Sequence, residues 1–447
     1  MTMLSAPFAA FRRLTTQLWE SPIAHGSFSG MIGNFASTAL FMVRSVLIAR
    51  ALGLETFGLM AYALALTMFV GEFIDMRGGD LVIRFVGSAM ARKEHARAAT
   101  YLHLGVLVDG VAALAAMVVI AAIMIPLTGG HPQHETLQPL IGIYVLAVPF
   151  GLLKRPFTAL LITLKRFPLM TILQLATRLI ELGVIVAVLP LGVMAVTWSA
   201  VLMGAFEFLL TSSCALWVFW RRSGTLRGGD YRQAWRSFRP FAVYGSLVGS
   251  LQSLAGGLDV VVLGALRPPA DVGFYAIARS AALVLSTALG PVSQAVYPLM
   301  NEAWALNDRA RVRRLVDRLV KVNGSVSLVA IVFLFFSASW LVNLFYGPAF
   351  LPAAGVLRLM VVFIGLQTAT GWMRQMVLIA GYPHLDLIAG IIGTAFFLAM
   401  LVPFVSMWGA LGLAYLLILD VFVMVITFGW ILMRRVRLWA PPLLPAT

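Results

Sequence analysis

Long runs of apolar residues recur along the chain, separated by short polar segments. Most runs have about 20 residues or more, the length that an α-helix needs to cross a hydrocarbon layer of roughly 30 Å. Continuous runs such as VAALAAMVVIAAIMIPL argue against a transmembrane barrel, whose strands are shorter and alternate in polarity. The runs lie at residues 27–50, 56–76, 99–126, 138–163, 168–190, 195–219, 241–266, 272–298, 319–346, 351–379, 384–404 and 408–433. The pattern predicts an all-α integral membrane protein with twelve transmembrane helices.

Composition supports a membrane protein that moves a solute rather than making bonds. Of the 447 residues, 61% are hydrophobic and only 11% are charged, far from the balance of a soluble domain. The single cysteine, Cys214, lies in an apolar run and rules out a disulfide framework. The sequence has no phosphate-binding GxxxxGK[ST] loop, and its six histidines lack the paired spacing of a metal site. We therefore predict no catalytic residue, no cofactor and no metal.

Basic residues mark one side of the membrane. The net charge of +15 could suggest a nucleic-acid partner, but Lys and Arg kept in cytoplasmic loops explain it better, so no such partner is predicted. Alternate loops hold 24 of the 33 Lys and Arg, against only Arg50 and Arg267 in the opposite loops. The basic segments are 12–13, 77–97, 165–166, 221–239, 309–321 and 434–437. This asymmetry predicts that both termini are cytoplasmic.

An internal repeat relates the two halves at a shift of 215 residues. Gly58 then falls on Gly273, and Arg44 falls on Asp259. Because each half begins in the cytoplasm and has an even number of spans, the halves are predicted to be parallel six-helix bundles. The predicted divisions are a cytoplasmic amphipathic segment 1–26, a first bundle 27–220, a basic linker 221–240, a second bundle 241–434 and a cytoplasmic tail 435–447. A disordered tail is the alternative for the N-terminal segment.

Seven basic residues fall inside the predicted spans: Arg44, Lys154, Arg155, Arg178, Arg279, Arg358 and Arg374. Each charge near a helix centre costs roughly 2.5 to 3.5 kcal/mol, so most of them must face protein or water. We predict that Arg44, Arg279 and Arg374 line a cationic cavity for an anionic group such as phosphate, which guanidinium groups bind well. The alternative for Arg44 is an internal ion pair with Asp259.

Other buried charges have structural alternatives. Arg178 and Glu181 lie one helical turn apart, and we expect them to pair. Lys154 and Arg155 adjoin a proline, and either a cavity role or extension toward the inner membrane surface fits them.

Glu72 and Asp75 share one face of the second predicted helix. They fit a proton or sodium site, and they equally fit simple charge partners of Arg77 and Arg84. The sequence does not choose between these two interpretations.

Several stretches resemble a known transporter family. They include SVLIARALGLETFGLMAYALALTMFVGEFIDMRGGDLVIRFVG, GLDVVVLGALRPPADVGFYAIARS, LVNLFYGPAFLPAAGVLRLM and LIAGYPHLDLIAG. From about residue 27 to residue 434, the chain resembles the polysaccharide exporters of the multidrug/oligosaccharidyl-lipid/polysaccharide superfamily, which are O-antigen (lipopolysaccharide) and exopolysaccharide repeat-unit flippases. The likeness implies a V-shaped pair of six-helix bundles that opens alternately to each side of the bacterial inner membrane.

The resemblance also implies a cargo and partners. The cargo would be an undecaprenyl-pyrophosphate-linked oligosaccharide, and the further partners would be membrane lipids, H⁺ or Na⁺, a polysaccharide polymerase and glycosyltransferases.

The related lipid II flippases carry essential arginines in helices 1, 2 and 8, and the similar positions here are Arg44, Arg84 (or Arg77) and Arg279. Twelve predicted spans, rather than the fourteen of lipid II flippases, favour the polysaccharide branch. The alternatives are a cation-coupled multidrug exporter of the same superfamily, a membrane glycosyltransferase or ligase, and a structural scaffold.

Overall fold

The computed structural model describes residues 22–436. Over that range every regular element is helical, and no strand occurs. The first half contains α1 (Pro22–Leu52), α2 (Leu54–Ile74), α3 (Gly78–Ala91), α4 (His95–Val119), α5 (His134–Val145), α6 (Val148–Thr163), α7 (Phe167–Val188) and α8 (Val193–Ser223). The second half contains α9 (Tyr231–Leu266), α10 (Pro269–Ala305), α11 (Arg309–Phe345), α12 (Ala353–Thr370), α13 (Trp372–Ile379) and α14 (Pro383–Ile431). Single turns of 3₁₀- or π-helix extend or link several of these helices.

Helices occupy all twelve predicted spans. Within residues 22–436, nine helical stretches are long and apolar enough to cross a membrane. One of them, Pro383–Val436, has 54 residues and is broken at Gly409 (φ 57°, ψ −134°), so it covers the last two predicted spans. α9 and α10, with 36 and 37 residues, coincide with the seventh and eighth. The predicted class, an all-α membrane protein, is confirmed.

Helix ends carry local sequence signals. Asp230 and Asp308 cap α9 and α11, because their carboxylates accept the backbone N–H groups of Gln233 (3.0 Å) and Arg311 (2.8 Å). Gly224 ends α8 in a left-handed conformation (φ 70°) that L side chains disfavour.

The internal repeat is visible in the backbone. Residues with positive φ recur at matching positions, 214, 216 and 217 residues apart: Lys93 with Asn307, Lys165 with Gly381, and Gly192 with Gly409. These separations bracket the predicted shift of 215. Each pair lies at a turn between helices, so corresponding helices end at corresponding places, and the predicted repeat is confirmed.

The described chain forms two compact units, Pro22–Gly273 and residues 274–436. α9 belongs to the first unit, where Ser250 and Ser253 donate hydrogen bonds to the backbone oxygens of Phe73 and Glu72 on α2 (2.5 and 3.0 Å). The predicted linker comprises the end of α8, an extended stretch and the first turns of α9. Its role as a boundary, and the bounds of the two bundles, stay predictions. The predicted terminal segments 1–26 and 435–447 lie largely outside the described residues.

The basic segment 77–97 is not a loop for most of its length. Residues 78–91 form α3, because Leu81, Val82, Val86 and Ala89 make an apolar stripe at helical spacing. This stripe is buried against α4 and α6 in the main core of the first unit. The turn between the second and third predicted spans therefore shrinks to a few residues around Lys93.

Helix packing in the second unit follows the same rule. A core there joins α10, α11, α13 and α14 around Met300, Val312, Met376 and Ala389, all of which are fully buried. α12 packs mainly on α11 and α14.

Two glycines related by the repeat meet at one helix crossing. A methyl group on Gly58 would overlap the backbone oxygen of Pro269 and would lie 3.2 Å from the backbone nitrogen of Gly273. A methyl group on Gly273 would lie 3.1 Å from the backbone oxygen of Leu54. The first turns of α2 and α10 can approach this closely only because both positions lack a side chain.

Replacing Gly58 should therefore destabilise the protein. We expect Gly58→Ala to cost about 1 to 3 kcal/mol, because the clash is with backbone that cannot rotate away, and to lower the apparent melting temperature in detergent. Gly183→Ala is the matched control, since nothing lies within 4 Å of its new methyl group and alanine favours a helix by up to about 1 kcal/mol. Equal melting temperatures for the two variants would contradict the close approach.

Candidate functional site

Two arginines in the first unit share one carboxylate. Nη1 of Arg44 on α1 lies 2.8 Å from Oε1 of Glu181 on α7. Nη1 of Arg178, one turn before Glu181 on the same helix, lies 2.6 Å from Oε2. The carboxylate of Glu181 thus bridges two guanidinium groups.

A second ion pair extends this group. Lys154 on α6 binds Glu207 on α8, with Nζ 2.9 Å from Oε1, and Glu207 also interacts electrostatically with Arg178. We call Arg44, Lys154, Arg178, Glu181 and Glu207 the arginine cluster. It has three cations and two anions, so it carries a net charge of +1 on four helices of one unit.

The members of the arginine cluster differ in accessibility. The side chain of Glu181 is 9% exposed and that of Arg44 is 14% exposed, whereas that of Arg178 is 31% exposed. Nε of Arg44 is buried and has no hydrogen-bond partner within the described part of the chain. Arg178 is therefore the more accessible of the two guanidinium groups, and Arg44 is the more deeply buried.

The sequence predicted part of this arrangement. The Arg178–Glu181 pair is confirmed, because their spacing of three residues places them on one helical face. The Arg44–Glu181 pair was missed, since the two residues are 137 positions apart and only helix packing brings them together. Asp259, the alternative partner considered for Arg44, is buried on α9, where its carboxylate accepts the N–H of Val260 at 2.8 Å.

Glu72 and Asp75, for which the sequence left two interpretations open, share a basic partner that neither interpretation named. Both carboxylates bind the guanidinium of Arg155 on α6, rather than the side chains of Arg77 and Arg84. Asp75 does accept the backbone N–H of Arg77 (3.0 Å). Arg155 therefore connects α6, through one guanidinium, to the C-terminal end of α2.

Arg77 and Arg84 interact elsewhere. The guanidinium of Arg77 lies 3.5 Å from the exposed carboxylate of Asp80. Arg84 is exposed on α3, and its guanidinium stacks 3.6 Å from the ring centroid of Phe241 on α9.

The second unit contains a separate cavity of about 660 Å³. Its polar lining residues are Tyr297, Gln367, Thr370, Arg374, Gln375 and Asp420. The predicted site residue Arg374 lies on its wall and forms a two-pronged ion pair with Asp386, with N···O distances of 2.8 and 3.2 Å. Arg279, also predicted from sequence, lies exposed on α10. The structure thus brings Arg44 and Arg178 together in the first unit, whereas Arg279 and Arg374 belong to the second unit.

Removing the shared carboxylate should weaken the fold. Glu181→Gln leaves Arg44 without its anion, and breaking a buried ion pair costs about 3 to 5 kcal/mol. We expect a lower melting temperature in detergent, with part of the loss recovered in the double variant Arg44→Gln/Glu181→Gln because it removes both charges. Strictly additive losses in this double-mutant cycle would contradict a direct Arg44–Glu181 interaction.

Comparisons with known proteins agree with this fold. The family model described as "Polysaccharide biosynthesis protein" matches residues 23–304. No curated protein matches the chain. One similar solved structure is an inward-facing multidrug resistance MATE family transporter of the MOP superfamily, at 14% identity, with a TM-score of 0.74 and coverage of 91% of this chain and 96% of that one. Another is the lipid II flippase MurJ in an inward closed conformation, at 14% identity, with a TM-score of 0.70 and coverage of 92% and 88%.

An outward-facing multidrug resistance MATE family transporter of the MOP superfamily is also similar, at 17% identity, with a TM-score of 0.64 and coverage of 95% and 98%. At these identities the likeness shows the fold alone. The family match covers well over half of the chain, and the resemblance noted from sequence is confirmed. The chain therefore belongs to the polysaccharide biosynthesis protein family and has the fold of the MOP superfamily transporters.

Proposed function

We propose that this protein is a flippase that moves undecaprenyl-pyrophosphate-linked oligosaccharide repeat units across the bacterial inner membrane, for exopolysaccharide or O-antigen synthesis. The arginine cluster is the observation that carries the proposal, because it holds an excess positive charge within the spans. The family match and the likeness to a lipid II flippase support the same class of cargo.

The chemistry of the cargo fits this cluster. A pyrophosphate entering a low-dielectric region needs fixed cations, since an unpaired phosphate charge there would be very costly. Arg178 is exposed enough to meet the phosphate oxygens, and its planar guanidinium can bind two of them at once. If Glu181 then paired with only one of the two arginines, the charge of the other would be free to attract the phosphate.

The carboxylates of the cluster have a separate task. Glu181 and Glu207 neutralise most of the positive charge when no cargo is present, which lets three cations remain inside the membrane. The cluster would therefore bind a phosphate by letting it replace a carboxylate as the partner of a basic side chain. No cation has to stay unpaired between transport cycles.

The other predicted site residues keep secondary roles in the proposal. Arg279 and Arg374 would contact the phosphates at a different stage of the transport cycle. Arg374 would first have to leave Asp386, to which it binds through two nitrogens. Arg84 is already stacked on Phe241 and would act through its charge near the membrane surface.

Topology completes the proposal. The distribution of Lys and Arg supports cytoplasmic termini in the inner membrane. Glycosyltransferases would build the cargo before its translocation, and a polysaccharide polymerase would act on it afterwards.

The proposal is tested by flipping in liposomes. Wild-type protein reconstituted with a lipid-linked oligosaccharide should speed exposure of the sugar to an external glycosidase. Arg178→Ala should reduce that rate at least about tenfold, the effect expected for losing roughly 1.4 kcal/mol of binding to the moving phosphate. Arg97→Ala is the matched control, because Arg97 forms an exposed pair with Glu94 and should leave the rate unchanged.

Protein amount and fold must be equal in these samples, checked by melting temperature and by insertion level. A wild type that does not speed exposure would refute the flippase. Equal rates for wild type and Arg178→Ala would show flipping without a role for the arginine cluster.

A cation-coupled multidrug exporter is the second candidate. The network around Arg155, with more carboxylates than cations, and the likeness to multidrug transporters favour it. Failure to flip the lipid-linked oligosaccharide, together with export of a cationic dye that depends on Glu72 or Asp75, would establish this alternative.

A further inference from the structure

The helix that begins with the second predicted span is broken just after that span, beside a group of charged side chains. α2 ends at Ile74 and α3 begins at Gly78, with Arg77 between them in a left-handed conformation (φ 55°, ψ 38°). Its counterpart in the repeat, α10, runs without a break from Pro269 to Ala305. The break is therefore not a requirement of the repeated fold.

We call Glu72, Asp75, Asp109 and Arg155 the carboxylate cluster. The guanidinium of Arg155 binds both Glu72 and Asp75. Asp109 on α4 accepts the backbone N–H of Gly78, the first residue of α3, at 2.8 Å through Oδ1. Two carboxylates thus bind the guanidinium and the third, that of Asp109, interacts with it electrostatically, which leaves the cluster a net charge of −2 if all three are ionised.

Asp109 is the least satisfied member of this cluster. Its side chain has 0% exposure. Its second oxygen, Oδ2, is buried and lacks a hydrogen-bond partner among the described residues. Burying an ionised carboxylate without a counter-ion is far more costly than burying a carboxylic acid.

The nearby charges do not supply that counter-ion. Asp109 interacts with Asp75, the residue that follows α2, with Asp80 from α3 and with Arg155 from α6. The guanidinium of Arg155 is already bound to Glu72 and Asp75, and that of Arg77 lies beside Asp80 at the surface. One shared cation thus faces two buried carboxylates.

A metal ion does not fit this imbalance. Within residues 22–436, no three His, Cys, Asp or Glu side chains are grouped so that they could hold one. The space between Glu72 and Asp75 is filled by the guanidinium. A proton needs no such set of ligands, and the cluster is not fully enclosed, since the side chain of Glu72 is 49% exposed.

The cluster is particular to the first half of the chain. At the shift of 215 residues, its four members correspond to Thr287, Gly290, Gly324 and Thr370. None of these is charged, nor is any residue within two positions of them. Since the second half folds as a helical unit without these charges, the cluster has a role beyond forming the helices.

We propose that Asp109 is a proton-binding site at the break between α2 and α3. The Asp109 carboxylate takes a proton from water to form a carboxylic acid and returns it on deprotonation, with no change of oxidation state. Because Asp109 holds the N–H of Gly78, the charge of this site sets how firmly α3 is anchored to α4. The inference goes beyond the proposed cargo and holds whichever substrate is carried.

Infrared spectroscopy of the full-length protein in cargo-free liposomes tests the site. As the buffer is taken from acidic to alkaline pH, the wild type should lose a carboxylic-acid C=O band that shifts in D₂O. Asp109→Asn should lack this band and should release about one proton fewer per molecule over the same range. Asparagine keeps the carbonyl that accepts the Gly78 N–H, so the fold should survive.

Two control variants identify the band. Asp75→Asn and the exposed Asp80→Asn should both retain it. If Asp109→Asn does not fold, Asp109→Glu keeps a carboxyl at the site and should show the band at a changed frequency. An unchanged band in Asp109→Asn, or a band lost in Asp75→Asn instead, would overturn the assignment. So would a wild type without any titrating carboxylic acid.

Discussion

Charge pairing inside the hydrocarbon layer is the constraint on which this structure depends. A guanidinium or carboxylate cannot face lipid without a cost of several kcal/mol, so each one needs a partner, on its own helix or on another. Arg44 joins α1 to α7, Lys154 joins α6 to α8, and Arg155 joins α6 to α2. These pairs link helices that also pack directly on one another.

The two charged clusters of the first unit are linked through α6. Lys154 and Arg155 are neighbours in sequence, so their side chains leave the helix about 100° apart. One enters the arginine cluster, with its net positive charge, and the other enters the carboxylate cluster, with its net negative charge. Leu152, Leu160 and Leu161 bury α6 in the core. Because Lys154 and Arg155 belong to this one helix, a rotation of α6 would move both side chains and so disturb both clusters. The proposed phosphate site and the proposed proton site would therefore be coupled through α6.

The internal repeat shows which features belong to the fold and which do not. Turns with positive φ recur in both halves, and Gly58 meets its counterpart Gly273 at a close helix crossing. The charges of the carboxylate cluster do not recur, since Glu72, Asp75, Asp109 and Arg155 have uncharged counterparts. Backbone geometry is thus common to the halves, whereas the electrostatics differ. This difference is what a transporter with distinct tasks in its two halves would need.

The sequence by itself determined the helices, the turns and the identity of the buried charges. Apolar length predicts a span, the repeat predicts that Gly58 and Gly273 hold equivalent positions in the two halves, and a spacing of three residues predicts the Arg178–Glu181 pair. Only the tertiary structure decided the partners of Arg44 and Arg155, because those contacts join residues 137 and about 80 positions apart. It also showed α3 where a loop was expected. A buried arginine in the sequence implies that a partner exists, but the rotation and packing of the helices determine which carboxylate that partner is.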